Sequence, residues 1–199
     1  MNRKIIVLLV ALSTLGLGAC ETKVERIDTD EVRDISGIWN DTDSRLVSEE
    51  MIADVLSRAW LSEHKQKHGK QPTVIVGEVR NLSHEHISVE TFTADMERVL
   101  INSGKVQFVA TSGERSEVRD ERRDQDIHST ADTAKAMGQE IGADYMLKGS
   151  IKTIVDPGRK KQVRFYQVDL TLISISNNRK VWVGQKKIKK YVKRPSVRY

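Results

Sequence analysis

The chain has 199 residues, a formal charge of +5 at pH 7, 31% charged and 5% aromatic residues, and one cysteine. That length suits one domain with an appended tail, and a lone cysteine excludes an internal disulfide, so the fold must rest on its hydrophobic core. A basic balance would suggest nucleic acid in a cytosolic protein, but the amino terminus argues for export, which leaves acidic protein surfaces, anionic lipid head groups or anionic glycans as partners.

Arg3 and Lys4 give a short positive start, and Ile5 to Leu17 is an almost unbroken apolar run. A charged start, a short apolar run and small residues before a cleavage point describe a secretory signal peptide over residues 1–19. The run is shorter than the roughly 20 residues that a membrane span needs. Leu17-Gly18-Ala19-Cys20 resembles a bacterial lipobox, with Leu17, Gly18 and Ala19 as the peptidase recognition residues and Cys20 as the lipid anchor. Two or more acyl chains anchor a protein stably, at about 0.8 kcal/mol for each buried CH₂. The expected organisation is therefore a cleaved signal over 1–19, a lipidated tether over 20–36 and a globular domain over 37–199.

The tether is polar and charged, and its stretch from Glu21 to Ser36 reaches at most roughly 55 Å when extended. Charge divides unevenly along the chain: residues 21–63 carry 12 Asp/Glu against 5 Lys/Arg, a net −7, whereas residues 64–199 are +10.

The clearest helix is expected over Leu46–Leu61, where Val47, Met51, Ile52, Val55, Leu56, Ala59 and Trp60 share a face, with Asp43 or Ser44 as its cap. Lys65–Gln71 reads as a basic loop, Thr73–Val79 as a buried β-branched strand and Asn81–His86 as a loop. A second helix is expected over Ser88–Ser103, burying Val89, Phe92, Met96, Val99 and Leu100 and ending at Gly104. Val106–Ala110 reads as a short strand, the charged Gly113–Gln125 as a solvated helix laced with i,i+4 pairs, and Thr130–Ile141 as an amphipathic helix. Tyr145–Val155, Gln162–Ser174 and Lys180–Lys190 read as three strands, joined by turns at Asp156-Pro157-Gly158 and Ser176-Asn177-Asn178. Alternating helix and strand followed by an antiparallel meander predicts an α/β fold: one mixed sheet of about four to five strands flanked by about four helices.

Motifs for catalysis are sparse. The chain has no Gly-x-Ser-x-Gly elbow, P-loop or Gly-x-Gly-x-x-Gly. His64 and His68 could share a helical face and His84 and His86 one side of a strand, but no cysteine or compact carboxylate set completes a metal site, and these read as solvated loop histidines. A glycan hydrolase would need two converging carboxylates, and no spacing selects such a pair. The tail stands out: from Arg179 onward it holds nine basic residues and no acidic one. On a strand, Lys187 and Lys189 would point one way and Lys186, Ile188 and Lys190 the other. Such lysines either guard an edge strand against pairing or dock an acidic partner.

Five segments together resemble a known family. They are Trp39-Asn40-Asp41, the run Val74-Ile75-Val76-Gly77-Glu78-Val79-Arg80-Asn81, Asn102-Ser103-Gly104-Lys105-Val106, Gly142-Ala143-Asp144-Tyr145-Met146-Leu147-Lys148-Gly149, and Val181-Trp182-Val183-Gly184. In this order and spacing, over about residues 37–192, they resemble the penicillin-binding protein activator lipoproteins of the LpoB type. The resemblance implies a domain like the amino-terminal domain of TolB, an outer-membrane lipoprotein facing the periplasm, no cofactor and no enzymatic activity. The implied partner is a bifunctional class A penicillin-binding protein, whose glycan polymerisation and crosslinking it would stimulate. Glu21 after the lipidated cysteine, rather than Asp, fits the outer membrane. Family members that cross the cell wall carry a long Pro-rich linker; here the tether is short and acidic. Asn81, Lys187, Lys189 and Lys190 are the candidates for the contact surface. The other class of function open to such a chain is a structural or assembly lipoprotein of an envelope secretion complex.

Overall fold

The computed structural model describes residues 23–29, 31–130, 132 and 140–193. The chain forms two units, Met1–Val32 and Arg33–Tyr199. In the first, the described residues are exposed and carry only a turn, in which Glu31 N–H donates to Asp28 O at 3.1 Å.

The second unit opens on helix α1, Asp41–Leu56. It starts five residues earlier than its apolar face indicates, because Asn40 and Asp43 form a capping box: Asn40 Oδ1 accepts from Asp43 N–H and Asp43 Oδ2 accepts from Asn40 N–H, both at 3.0 Å. The helix also ends earlier than expected. Trp60, though in phase with the apolar stripe, turns its indole back to donate to the terminal carbonyl of Val55 at 2.7 Å. Arg58 is extended, and a second helix, α2, runs from Ala59 to His68. The expected single helix is thus two, and most of the expected basic loop is the last turn of α2. Lys65, Lys67 and His68 there suit the negative end of the helix dipole.

Strand β1 is Thr73–Leu82, so Asn81 lies in a strand rather than in a loop. Helix α3, Val89–Asn102, is capped by Ser88 and stops at Gly104, whose φ of +62° a side chain would resist. Strand β2 shrinks to Gln107–Phe108. Helix α4, Ser112–His128, buries none of its residues, as its charge pattern predicts. The helix expected over Thr130–Ile141 falls largely outside the described residues; Glu140 and Ile141 are not helical. Three long strands follow: β3 (Tyr145–Pro157), β4 (Lys161–Ser174) and β5 (Lys180–Lys193). Asn178 takes a φ of +60° in the β4–β5 turn, a conformation its short polar side chain tolerates.

The five strands form one mixed sheet in the order β2-β1-β3-β4-β5. β1 runs parallel to β2 and β3, and β3, β4 and β5 are an antiparallel meander. Helices α1 and α3 pack on one side. Val47, Ile52 and Val55 of α1 and Phe92 and Met96 of α3 are buried in one core with Ile151 of β3, Val168, Leu170 and Leu172 of β4 and Trp182 of β5. The fold class read from the sequence is the one observed, and β5 forms one edge of the sheet.

The basic edge strand and its two faces

Alternation along β5 divides its lysines. Lys186 and Lys190 lie on the helix side with Ile188, and Lys187 and Lys189 lie on the other side, exposed. The inner pair meets the acidic start of the domain. Lys186 pairs with Glu50 of α1. Lys190 Nζ sits 2.8 Å from Asp34 Oδ1, 2.6 Å from Asp43 Oδ2 and 3.2 Å from Ile38 O, with only 11% of its side chain exposed. Burial opposes the Lys190 charge, yet hydrogen bonds to Asp34 and Asp43 outweigh it and raise its pKa. The same contact holds the Asp34 carboxyl below its ordinary value. Asp34, Asp43 and Glu50 and the inner lysines of β5 therefore neutralise each other within the second unit.

A second network pins the same region. Glu85 accepts from the Trp39 backbone N–H at 3.0 Å and from the Tyr166 hydroxyl at 2.8 Å, and it pairs with Arg164. Burial foremost, then the Glu85 hydrogen bond, push the Tyr166 hydroxyl far above its ordinary pKa. Gly37 passes so close that a Cβ there would lie 2.2 Å from Val192 Cγ2. Sequence reading missed this network because the partners of Glu85 lie 46 or more residues away from it.

Of the candidate contact residues, Asn81 is committed to its own turn: its amide donates to Glu85 O at 2.8 Å and its Oδ1 accepts from Ser83 N–H at 2.9 Å. Lys187 and Lys189 form no ion pair among the described residues. Leu17, Gly18, Ala19 and Cys20 lie outside the described residues, as do Arg194 and Arg198.

The face that carries Lys187 and Lys189 is set by cross-strand register. Lys187 pairs with Gln167 and that with Lys152; Lys189 pairs with Phe165 and that with Ile154. Between Lys148 and Lys152 sits the row Ser150–Asp169–Gln185. Asp169 accepts from Lys152 Nζ at 2.9 Å and Gln185 Nε2 at 2.8 Å. Burial raises the Asp169 pKa, but these donors and Gln167 outweigh it and the net shift is downward.

The expectation of solvated histidines fails at His64, which is 4% exposed on α2. Its Nδ1 lies 3.0 Å from the Tyr145 hydroxyl and its ring stacks on His68 at 4.5 Å. Nε2 has no hydrogen-bond partner and lies 3.8 Å from Asp144 Oδ2. Burial lowers its pKa against the opposing pull of Asp144. The i,i+4 spacing predicted a shared helical face, but placing both residues near a loop hid the burial. His84 and His86 are exposed. Among the described residues no group of three or more His, Cys, Asp or Glu comes together to hold a metal ion, and no helix is long and apolar enough to cross a membrane.

Comparison with known proteins bears on this arrangement. The family model for the peptidoglycan-synthase activator LpoB matches residues 43–188. The fold is similar to the LpoB C-terminal domain from Escherichia coli, at 15% identity and a TM-score of 0.45, covering 74% of this chain and 99% of that one. It is also similar to the NMR structure of E. coli LpoB, at 14% identity and a TM-score of 0.41, covering 88% and 84%. Lipoprotein GNA1162 from Neisseria meningitidis is similar at 16% identity and a TM-score of 0.38, covering 60% and 83%. None of the curated proteins matches the chain in sequence.

Proposed function

Because the chain belongs to the peptidoglycan-synthase activator LpoB family, we propose that it is a non-catalytic lipoprotein that binds a bifunctional class A penicillin-binding protein and raises its glycan polymerisation and crosslinking. The family match over residues 43–188 carries this reading. The signal over 1–19, lipid on Cys20, a tether over 20–36 and a domain over 37–199 would hang the protein from the outer membrane into the periplasm. Activation then requires tighter binding to the active conformation of the synthase than to the resting one, since a ligand shifts an equilibrium only by its differential affinity. Lys187 and Lys189 are free to make direct contacts. Lys190 and Asn81 contribute by holding the strand end and the adjoining loop in shape.

The test is the rate of glycan-strand synthesis by a purified class A synthase of the same cell, with and without the detergent-solubilised full chain. A severalfold rise that saturates with added protein supports the reading. An unchanged rate with every class A synthase of that cell would sink it.

A further inference from the structure

The helix-free side of the meander carries a set of side chains that the core does not use. Along β5 the outward residues are Val183, Gln185, Lys187, Lys189 and Tyr191; Val183 is 62% and Tyr191 63% exposed. Register extends their rows across the sheet. Lys187 continues through Gln167 and Lys152 to Leu82 of β1, and Gln185 continues through Asp169 and Ser150 to Arg80. Ile154, paired with Phe165, is 66% exposed. The result is a basic middle with apolar ends: Ile154, Phe165 and Tyr191 at one end, Val183 at the other.

Large exposed side chains on a strand face are ordinary one at a time. Here they flank cations in adjoining rows, and Lys187 and Lys189, about 7 Å apart along the strand, have no acidic partner among the described residues. The opposite face of the same strand shows what acidic partners do when they are present, in Lys186–Glu50 and Lys190–Asp43. Among the described residues, nothing supplies the outer lysines with such carboxylates.

We infer that this open face of β3, β4 and β5 is the docking surface for the synthase partner, and that the complementary surface presents carboxylates to Lys187 and Lys189 with an apolar contact against Ile154, Phe165 and Tyr191. The inference rests on the activator reading above. Asp169 argues for a protein rather than a uniformly anionic lipid or glycan: a carboxylate in the middle row, shared with Lys152 and Gln185, suits a partner of mixed donors and acceptors and would repel a plane of like charge. A second copy of this chain is equally ill-matched, because apposing the same face would set lysines against lysines. The five paired rows from Tyr191 to Val183 span about 27 Å along the strands and about 10 Å across the three. That is smaller than the roughly 800 Å² per partner of a standard interface, so binding is expected to be reversible, with a strong electrostatic share in its association rate.

The experiment is a binding titration of the detergent-solubilised full chain against purified class A synthase at about 50 mM and about 300 mM salt. The set is wild type, Lys187→Glu/Lys189→Glu, Ile154→Ala/Tyr191→Ala, and the control Lys65→Glu/Lys105→Glu. The same charge change at Lys65 and Lys105, which lie far from this face in the sequence and off the meander, corrects for net charge, and circular dichroism checks each fold. The inference expects the first double variant to bind at least tenfold more weakly and to lose most of its salt dependence. The apolar pair should lose severalfold affinity with the salt dependence kept, and the control should bind as wild type does. Wild-type binding that neither face variant changes would overturn the docking face alone. Loss in the control equal to that of Lys187→Glu/Lys189→Glu would reduce the effect to net charge and also overturn it. Failure of the wild-type chain to bind any class A synthase would remove the activator reading and this inference with it. Capture by anionic phospholipid vesicles, abolished by Lys187→Glu/Lys189→Glu, would reassign the face to a membrane.

Discussion

The two faces of β5 present one residue type in two roles. On the inner face, Lys190 is enclosed by Asp34 and Asp43 and joins the last strand to the first helix. On the outer face, two positions of the same chemistry, one residue out of phase, stand in solvent. Net charge cannot distinguish them. Register does, because a strand alternates every residue and a one-residue shift would exchange the two sets. Runs of lysine on an edge strand therefore need to be read pair by pair, against what lies on each side.

Several substitutions would break or sharpen this contrast, beginning with the largest effect. Lys190→Ala leaves the buried Asp43 without its cation, and the expected loss is about 2 kcal/mol in a urea titration, less than for a dry ion pair because Asp34 is half-exposed. Equal stability of wild type and Lys190→Ala would show that the inner lysine is as dispensable as an outer one. Asn40→Ala removes the cap that positions Asp43, and should cost about 1 kcal/mol.

A pH titration of stability isolates another buried cation-to-be. His64 has a folded pKa below its unfolded value of 6.5, so the unfolded state binds the proton more readily. Its contribution is complete above about pH 6.5 and is lost as pH falls from there towards the lower folded value. Thermal unfolding scanned from pH 7.5 to pH 5 should show this fall, and His64→Gln should flatten it. Carboxylates with lowered pKa, such as Asp34, act in the same sense, but only at more acidic pH, as it falls below about 3.8. Smallest of all, Lys187→Ala and Lys189→Ala should each change stability by less than about 0.5 kcal/mol, since neither side chain touches an acidic partner among the described residues.

Much of the architecture was legible in the sequence because it rests on local rules. β-Branched runs marked β1, turn residues separated the three long strands, and the charge pattern of α4 announced a helix without a buried side. The break between α1 and α2 was not legible: Trp60 fits the apolar stripe, yet the extended Arg58 and the indole bond to Val55 O show that the helix has stopped. Alternation put Lys190 on the face opposite Lys187 and Lys189 without showing which face is the inner one. That Asp34 and Asp43 wait for it there depends on how the start of the domain folds back across the end of β5, a contact spanning more than 140 residues. His64 was hidden for a related reason, since the spacing to His68 fixes a shared face but not what covers it. The Glu85–Arg164–Tyr166 network leaves no local sequence pattern, since it joins Glu85 to two residues of β4 that lie 79 and 81 positions away.

The most direct test of the central claim is photo-crosslinking in living cells, with a photoreactive residue placed at position 187 of the lipidated protein in one strain and at position 186 in another. The account predicts a crosslink to a class A penicillin-binding protein from position 187 and none from position 186. A synthase crosslink from 186 alone, or crosslinks from 187 only to outer-membrane assembly proteins, would contradict it.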